Sequence, residues 1–406
     1  MLDKIYKALI FCGLTFILIW SPLAFGAAPK RVWSITPVLF VIALLVFLWL
    51  WKLNNGRKTP DTKLHITALD ILIFLFVSLA VISFIFSVYK HDSFYALLRL
   101  LSYVGLYYLI LNNYSRKFRR YLIGLVISIG TGISVFGLLQ HFGFLSHWWW
   151  NPENFLAATY VNHNHFSGYL ELVIPVTIGA IILYKSSGIV VKTALIGALF
   201  IMISAFIFAQ SRGAWISLSI ALFLMNVLLI RVNILKMRSL LIMFLIVTAI
   251  FSLTYLREGS ISRRIDSISD VASGEATLET RLQIWNGTIE MIQSNPLTGT
   301  GIGTFVWGFS RYRPVGLNAR AHYAHNDYLH MAAEMGIFAL PLMIFMLVII
   351  ISRGLTKGVF HPVVLGCAVG MLSLSLHGLV DFNFHIPANM LLYIVYAAII
   401  MKETET

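Results

Sequence analysis

The apolar runs of this chain decide what it can fold into. Stretches of about 18 or more residues rich in Leu, Ile, Val and Phe recur along all 406 residues, each long enough to cross a bilayer as a helix. A β-barrel would show short segments of alternating polarity instead. The chain is 59% hydrophobic and only 12% charged, against about 25% charged residues in ordinary soluble domains. So few charges cannot cover that much apolar surface in water. The expected fold is an all-α polytopic membrane protein with about twelve transmembrane helices. The runs lie at 5–26, 32–51, 66–88, 94–112, 119–142, 166–184, 190–210, 213–231, 239–256, 331–352, 361–380 and 386–402. Residues 1–406 read as a single integral membrane domain.

Two features of the ends and the balance of charge need a reading. Lys4, Lys7, the first apolar run and Ala24-Phe25-Gly26-Ala27-Ala28 have the shape of a signal peptide. With so many spans following, an uncleaved first helix is expected. The formal net charge of +13 would suggest nucleic acid in a soluble protein. Here it serves topology and contacts with anionic membrane lipids, and no nucleic-acid partner is expected. Cys12 and Cys367 lie in apolar runs with no metal-type partners nearby and read as packing residues.

Lys and Arg in the connections set the orientation. With the N-terminus in the cytoplasm, eighteen of them fall on inside segments and four on short outside ones. Both termini are then cytoplasmic, and the long connection 256–330 is a partly helical loop facing the periplasm. A second periplasmic loop, 143–165, carries Trp148-Trp149-Trp150 and Asn162-His163-Asn164-His165. The tryptophans read as an interfacial anchor, with stacking on sugar faces as the alternative.

The 256–330 loop is where chemistry is expected. Its basic residues are Arg257, Arg263, Arg264, Arg281, Arg311, Arg313 and Arg320, with no lysine among them. A guanidinium grips phosphate or carboxylate at two points. The competing reading is that they pair with the loop's seven acids. Arg212, in the Ser211-Arg212-Gly213 hairpin between two spans, is either a snorkelling side chain or an anion site. The loop ends in His322-Tyr323-Ala324-His325-Asn326-Asp327-Tyr328-Leu329-His330. On a first helical turn, His322, His325 and Asn326 would share one face, and Asn326 and His330 another. A metal site is the weaker reading, because no His-Glu-x-x-His pattern is present. An imidazole taking a proton from a hydroxyl fits better. His163 before span six, Glu171 within it, and His377 to His385, including Asp381, are further polar clusters near the outward face. Arg99, Gln140 and Gln210, isolated inside spans, read as interhelical hydrogen-bond partners.

These motifs resemble the O-antigen ligase and O-antigen polymerase family of bacterial cell-envelope glycan transferases. The ligase pattern is His, then Asn, Ser or Gln, then nine residues, then Gly. It is met by His325, Asn326, the nine residues from Asp327 to Met335, and Gly336. Ala339 departs from the Gly, Thr or Tyr that the pattern continues with. Ser211-Arg212-Gly213, Thr280-Arg281-Leu282 with Trp285, and His377 to Asn389 also look like the family, so the likeness runs from about residue 150 onward.

The resemblance implies a GT-C-like membrane fold in the inner membrane. It implies that Arg212 and Arg281 hold the pyrophosphate of an undecaprenyl-linked glycan donor. His325 would deprotonate or orient the acceptor hydroxyl. No cofactor, nucleotide sugar or metal is implied. The acceptor is lipid A–core for a ligase and another lipid-linked glycan for an O-antigen or exopolysaccharide polymerase. A protein hydroxyl is a third possibility. A transporter fits less well, because no internal repeat is evident and the polar residues gather in outward loops rather than at mid-membrane. Asn326, His322, His330, Asn162, His163, His377, Asp381, Arg311 and Arg313 are the supporting candidates.

Overall fold

The computed structural model describes residues 2–28, 32–55, 67–146, 155–184, 188–239, 278–317 and 321–405. Among them there is no strand. The chain runs through α1 (Leu2–Leu23), α2 (Val32–Asn55), α3 (Ala68–Ile85), α4 (Lys90–Asn113), α5 (Arg116–His141), α6 (His163–Leu183), α7 (Ile189–Phe208) and α8 (Arg212–Arg231). Then come α9 (Leu278–Ser294), α10 (Phe305–Phe309), α11 (Asp327–Met335), α12 (Ala339–Thr356), α13 (Pro362–His377) and α14 (Pro387–Glu403). Nine of the described helices, α1 to α8 and α12, are long and apolar enough to cross a membrane; α13 is a shorter apolar helix.

Ten of the twelve expected runs coincide with helices to within a few residues. The run at 239–256 lies outside the described residues beyond Ser239. The largest displacement is at 331–352, where the spanning helix α12 begins only at Ala339. Gly336, with φ +85°, breaks the pattern. A Cβ there would come within 2.2 Å of the Leu297 carbonyl oxygen. The chain must turn sharply, which only glycine does cheaply. Residues 327–335 therefore form a separate helix, α11, lying under the long connection.

One helix organises the bundle. In the most apolar stretch of α6, 78% is buried, against 17% for α7. A helix that is apolar all round belongs in the middle of a bundle. Tyr169, Phe166, Leu170, Leu172 and Val173 are almost fully buried. α6 packs chiefly on α13, with α8, α7 and α14 around the pair. Gly366 and Gly370 of α13 lie directly on the α6 backbone at Pro175 and Leu172, so the two helices approach closely. α3, α4, α12 and α14 form the other side. At one end, α9 to α11 and the intervening loop cover the bundle around a small core of Ile284, Met291, Phe305 and Phe309.

Candidate functional site

Five segments meet at that end. They are the start of α6, the α7–α8 hairpin, the first turn of α9, the segment 321–326 and the turn 377–385. Each is held by local chemistry. Asn162 caps α6, its side chain accepting from the Asn164 N–H at 2.6 Å. Behind it, His163 Nδ1 hydrogen-bonds the Ala209 carbonyl, fixing α6 to the hairpin. Gln210 takes a left-handed φ of +54°, and Ser211 caps α8. Arg212 is the first residue of α8 and is exposed. A helix N-terminus adds partial positive charge to that guanidinium. The next residue, Gly213, is pressed against His377: a Cβ there would sit 2.9 Å from its ring and 3.1 Å from Val380.

Arg281 reaches the same turn from α9, its Nη1 donating to the Val380 carbonyl at 2.8 Å. One helical turn on, Trp285 Nε1 donates to the Ala324 carbonyl at 2.9 Å. The Ala324 N–H in turn faces His330 Nδ1 at 3.3 Å. Ala324 is thus pinned on both sides, and His325 follows it with φ +50°. A left-handed conformation at a non-glycine residue costs about 1–3 kcal/mol and persists only where the surroundings impose it. Asn326 then caps α11, its Oδ1 accepting from both the Tyr328 and Leu329 N–H groups at 3.0 Å. Asp327 ties that helix to the turn through the N–H of Phe384 and His385 Nδ1.

Asp381 lies at the centre. Its Oδ1 is 3.9 Å from His165 Nε2 and its Oδ2 is 3.8 Å from His377 Nε2. His377 Nδ1 lies 2.7 Å from Glu171 Oε2, and Ser373 donates to the other Glu171 oxygen at 2.7 Å. Asn389 donates to Asn383 and to the His165 carbonyl, both at 3.0 Å. Phe382 stands edge-on to both His165 and His325, with ring centroids 4.6 and 4.9 Å away, and stacks on Tyr323 at 4.1 Å.

The electrostatics are uneven. Burial works against the Asp381 carboxylate, yet His165, His377, His325 and Arg281 together hold it below the usual range. Burial pushes His325 down to about 4; Asp381 pulls the other way, and Arg281 and His330 add to the lowering. His325 is therefore a neutral imidazole near pH 7. Three buried polar atoms here have no hydrogen-bond partner among the described residues: His165 Nε2, Arg281 Nε and His325 Nδ1. Unsatisfied buried polar groups are uncommon in folded proteins, and three of them around one carboxylate call for an explanation.

The expected residues do not all gather here. Arg212, Arg281, His325, Asn162, His163, His377 and Asp381 belong to the five converging segments. His330 faces away, into a network with Glu334 at 3.1 Å and a ring contact with Phe305. Arg311 and Arg313 are exposed, and Arg313 donates within its own loop to Leu317. His322 is half-buried in the irregular segment before α11. The shared helical face expected for His322, His325 and Asn326 is absent, because the helix begins only at Asp327. Arg257, Arg263, Arg264, Arg320 and Trp148 to Trp150 lie outside the described residues. His165 entered the sequence reading only as part of the Asn162-His163-Asn164-His165 segment. His163 and His165 are two residues apart and so point in different directions on one helix, and nothing in the pattern says which faces Asp381.

One group offers ligand atoms to a cation. Donors of His330, Glu334 and His385 lie within 4.8 Å of one another. They already satisfy each other and the backbone. Glu334 accepts from the N–H groups of Gly303 and Phe305, at 2.7 and 2.8 Å. With the Ala324 N–H directed at its Nδ1, His330 carries its proton on Nε2, the atom a metal would need. The arrangement fits a hydrogen-bonded brace better than a metal centre.

Residues 197–344 match the sequence model of the family described as O-Antigen ligase. That part of the chain is similar to the O-antigen ligase family. The matched segment runs from within α7 into α12 and includes Arg212, Arg281 and His325. His165, Glu171, His377 and Asp381 lie outside it, so the chain beyond the matched segment completes the cluster. No curated protein matches the chain.

Proposed function

We propose that this protein transfers a glycan from undecaprenyl pyrophosphate to a sugar hydroxyl of lipid A–core, at the periplasmic face of the inner membrane. The observation that carries the reading is the trio of unsatisfied polar atoms on His165, Arg281 and His325 around the ionised Asp381. That is a donor and acceptor set for an anion and a hydroxyl at the end of a membrane bundle. Arg281 Nε–H and Arg212 at the start of α8 bind pyrophosphate oxygens. The neutral His325 takes the proton of the acceptor hydroxyl as its oxygen attacks the anomeric carbon. The bond from that carbon to phosphate breaks, and undecaprenyl pyrophosphate leaves with the electron pair, its charge stabilised by the two arginines. Asp381 stabilises the imidazolium formed on His325, and Glu171 and His377 hold Asp381 in place. No step requires a metal.

Joining lipid-linked repeat units, as a polymerase does, would use the same groups and differs only in acceptor. The test is reconstitution of the purified chain with a lipid-linked donor and, separately, lipid A–core or a second lipid-linked unit. Glycan on lipid A–core is expected. Glycan only on the second unit would make the protein a polymerase. No transfer to either would refute the proposal.

A further inference from the structure

Arg99 lies within α4, a helix long and apolar enough to cross a membrane. A guanidinium in such a helix is costly unless it finds a partner or a polar cavity. The sequence suggested an interhelical hydrogen bond, but among the described residues Arg99 makes neither a hydrogen bond nor an ion pair. It lines a cavity of about 200 Å³ between α3, α4, α12 and α14. Glu334 lines the same cavity, yet its oxygens are occupied by the N–H groups of Gly303 and Phe305 and by His330. His385 gives its Nδ1 to Asp327, and burial holds its ring below the ordinary histidine value. Arg99 is thus a cation facing a cavity with no available counter-ion.

The depth and lining of the cavity describe its ligand. The loop before α10 rests on the first turns of α4, with Gly303 against Ala96 and Trp307 donating to Asp92 at 2.8 Å. Arg99 lies one turn below that layer, at the polar end. From Ala96 to Tyr107 the wall extends about 16 Å along α4. That is about half of a 30 Å hydrocarbon layer, the depth of one leaflet. Below Arg99 the wall is aliphatic, aromatic and rich in methionine (Met331, Met335, Met343, Met346 and Met390). Unbranched thioethers adapt to a chain of variable shape.

We propose that this cavity binds one acyl chain of an anionic phospholipid from the surrounding bilayer, with its phosphate paired to Arg99. Its depth suits one acyl chain and is too short for a polyprenyl chain, and the charge at its polar end calls for an anion. The site is distinct from the His325 cluster. Tyr323, stacked on Phe382, stands between them, and its hydroxyl feels the Arg99 charge. A bound lipid would brace that wall.

The test uses the full chain in phosphatidylcholine vesicles with phosphatidylglycerol carrying a diazirine on one acyl chain. Photolabel is expected on Met343, Met346, Leu347 or Met390. Arg99→Gln should reduce it at least fivefold, while Arg99→Lys keeps more than half. Leu347→Trp, which fills the cavity and leaves Arg99 in place, should also reduce it and guards against misfolding of the Arg99 variants. Label confined to outward-facing residues such as Phe40 and Phe74 would overturn the proposal. So would equal labelling by the phosphatidylcholine analogue, or displacement by polyprenyl phosphate but not by unlabelled phosphatidylglycerol.

Discussion

Arg281 holds one partner in the structure and is proposed to hold a second, and substitution separates the two. Its Nη1 holds the turn at Val380, and its buried Nε has no partner. We assign the Nε to a pyrophosphate oxygen. Lysine keeps the charge but not the fork, so Arg281→Lys loses the second contact. A hydrogen bond to a charged group contributes about 1.5–3 kcal/mol, and ~1.4 kcal/mol is a factor of ten in rate. The expected loss in kcat/KM is about 10- to 150-fold. Arg281→Ala also removes the bond to Val380 and the charge itself. At about 1 kcal/mol more, the loss becomes about 10²- to 10³-fold. The assay is initial-rate transfer in proteoliposomes at varied donor. α9 keeps its Trp285 bond to Ala324, so the variants should remain folded. Both variants within about threefold of the parent, a difference under ~0.7 kcal/mol, would refute the assignment.

Three further outcomes are expected. Protonated His325 cannot accept a proton, and its lowered pKa keeps it neutral well below the ordinary 6.5. The kcat/KM profile should therefore stay flat on the acid side through pH 6.5 and fall only as pH drops toward about 4; a limb at 6.5 would argue against His325 as base. Asn326→Ala removes both capping bonds and should destabilise the 321–335 region by about 1 kcal/mol, read by thermal unfolding, while Asn326→Asp retains most of the cap. Gly213→Ala would push a methyl into His377 and should lower transfer at least tenfold with the protein still inserted, read by the same assay on protein of unchanged elution volume.

The helices were legible because apolar length is a local signal. Ten runs became helices with boundaries near those expected. The separation of α11 from α12 was not legible, since Gly336 interrupts an otherwise apolar segment and its φ depends on packing against Leu297. For the site, the sequence offered Arg212, Arg281 and His325 as candidates, and the structure brings the segments that carry them to one end of the bundle. Their partners could not be read. Glu171 and His377 lie 206 positions apart, and their 2.7 Å contact arises only from the close approach of α6 and α13. His330 was a supporting candidate beside His325 in the sequence. Asn326, as a cap, ends the irregular segment between them and turns the two rings to different sides.

If His325 acts on the acceptor after the donor has bound, removing its imidazole separates donor binding from transfer. Purified His325→Ala should bind the lipid-linked pyrophosphate donor as the parent does, yet show no transfer to lipid A–core in a single turnover. Transfer at a rate near the parent's, with donor bound, would rule out His325 as the group acting on the acceptor.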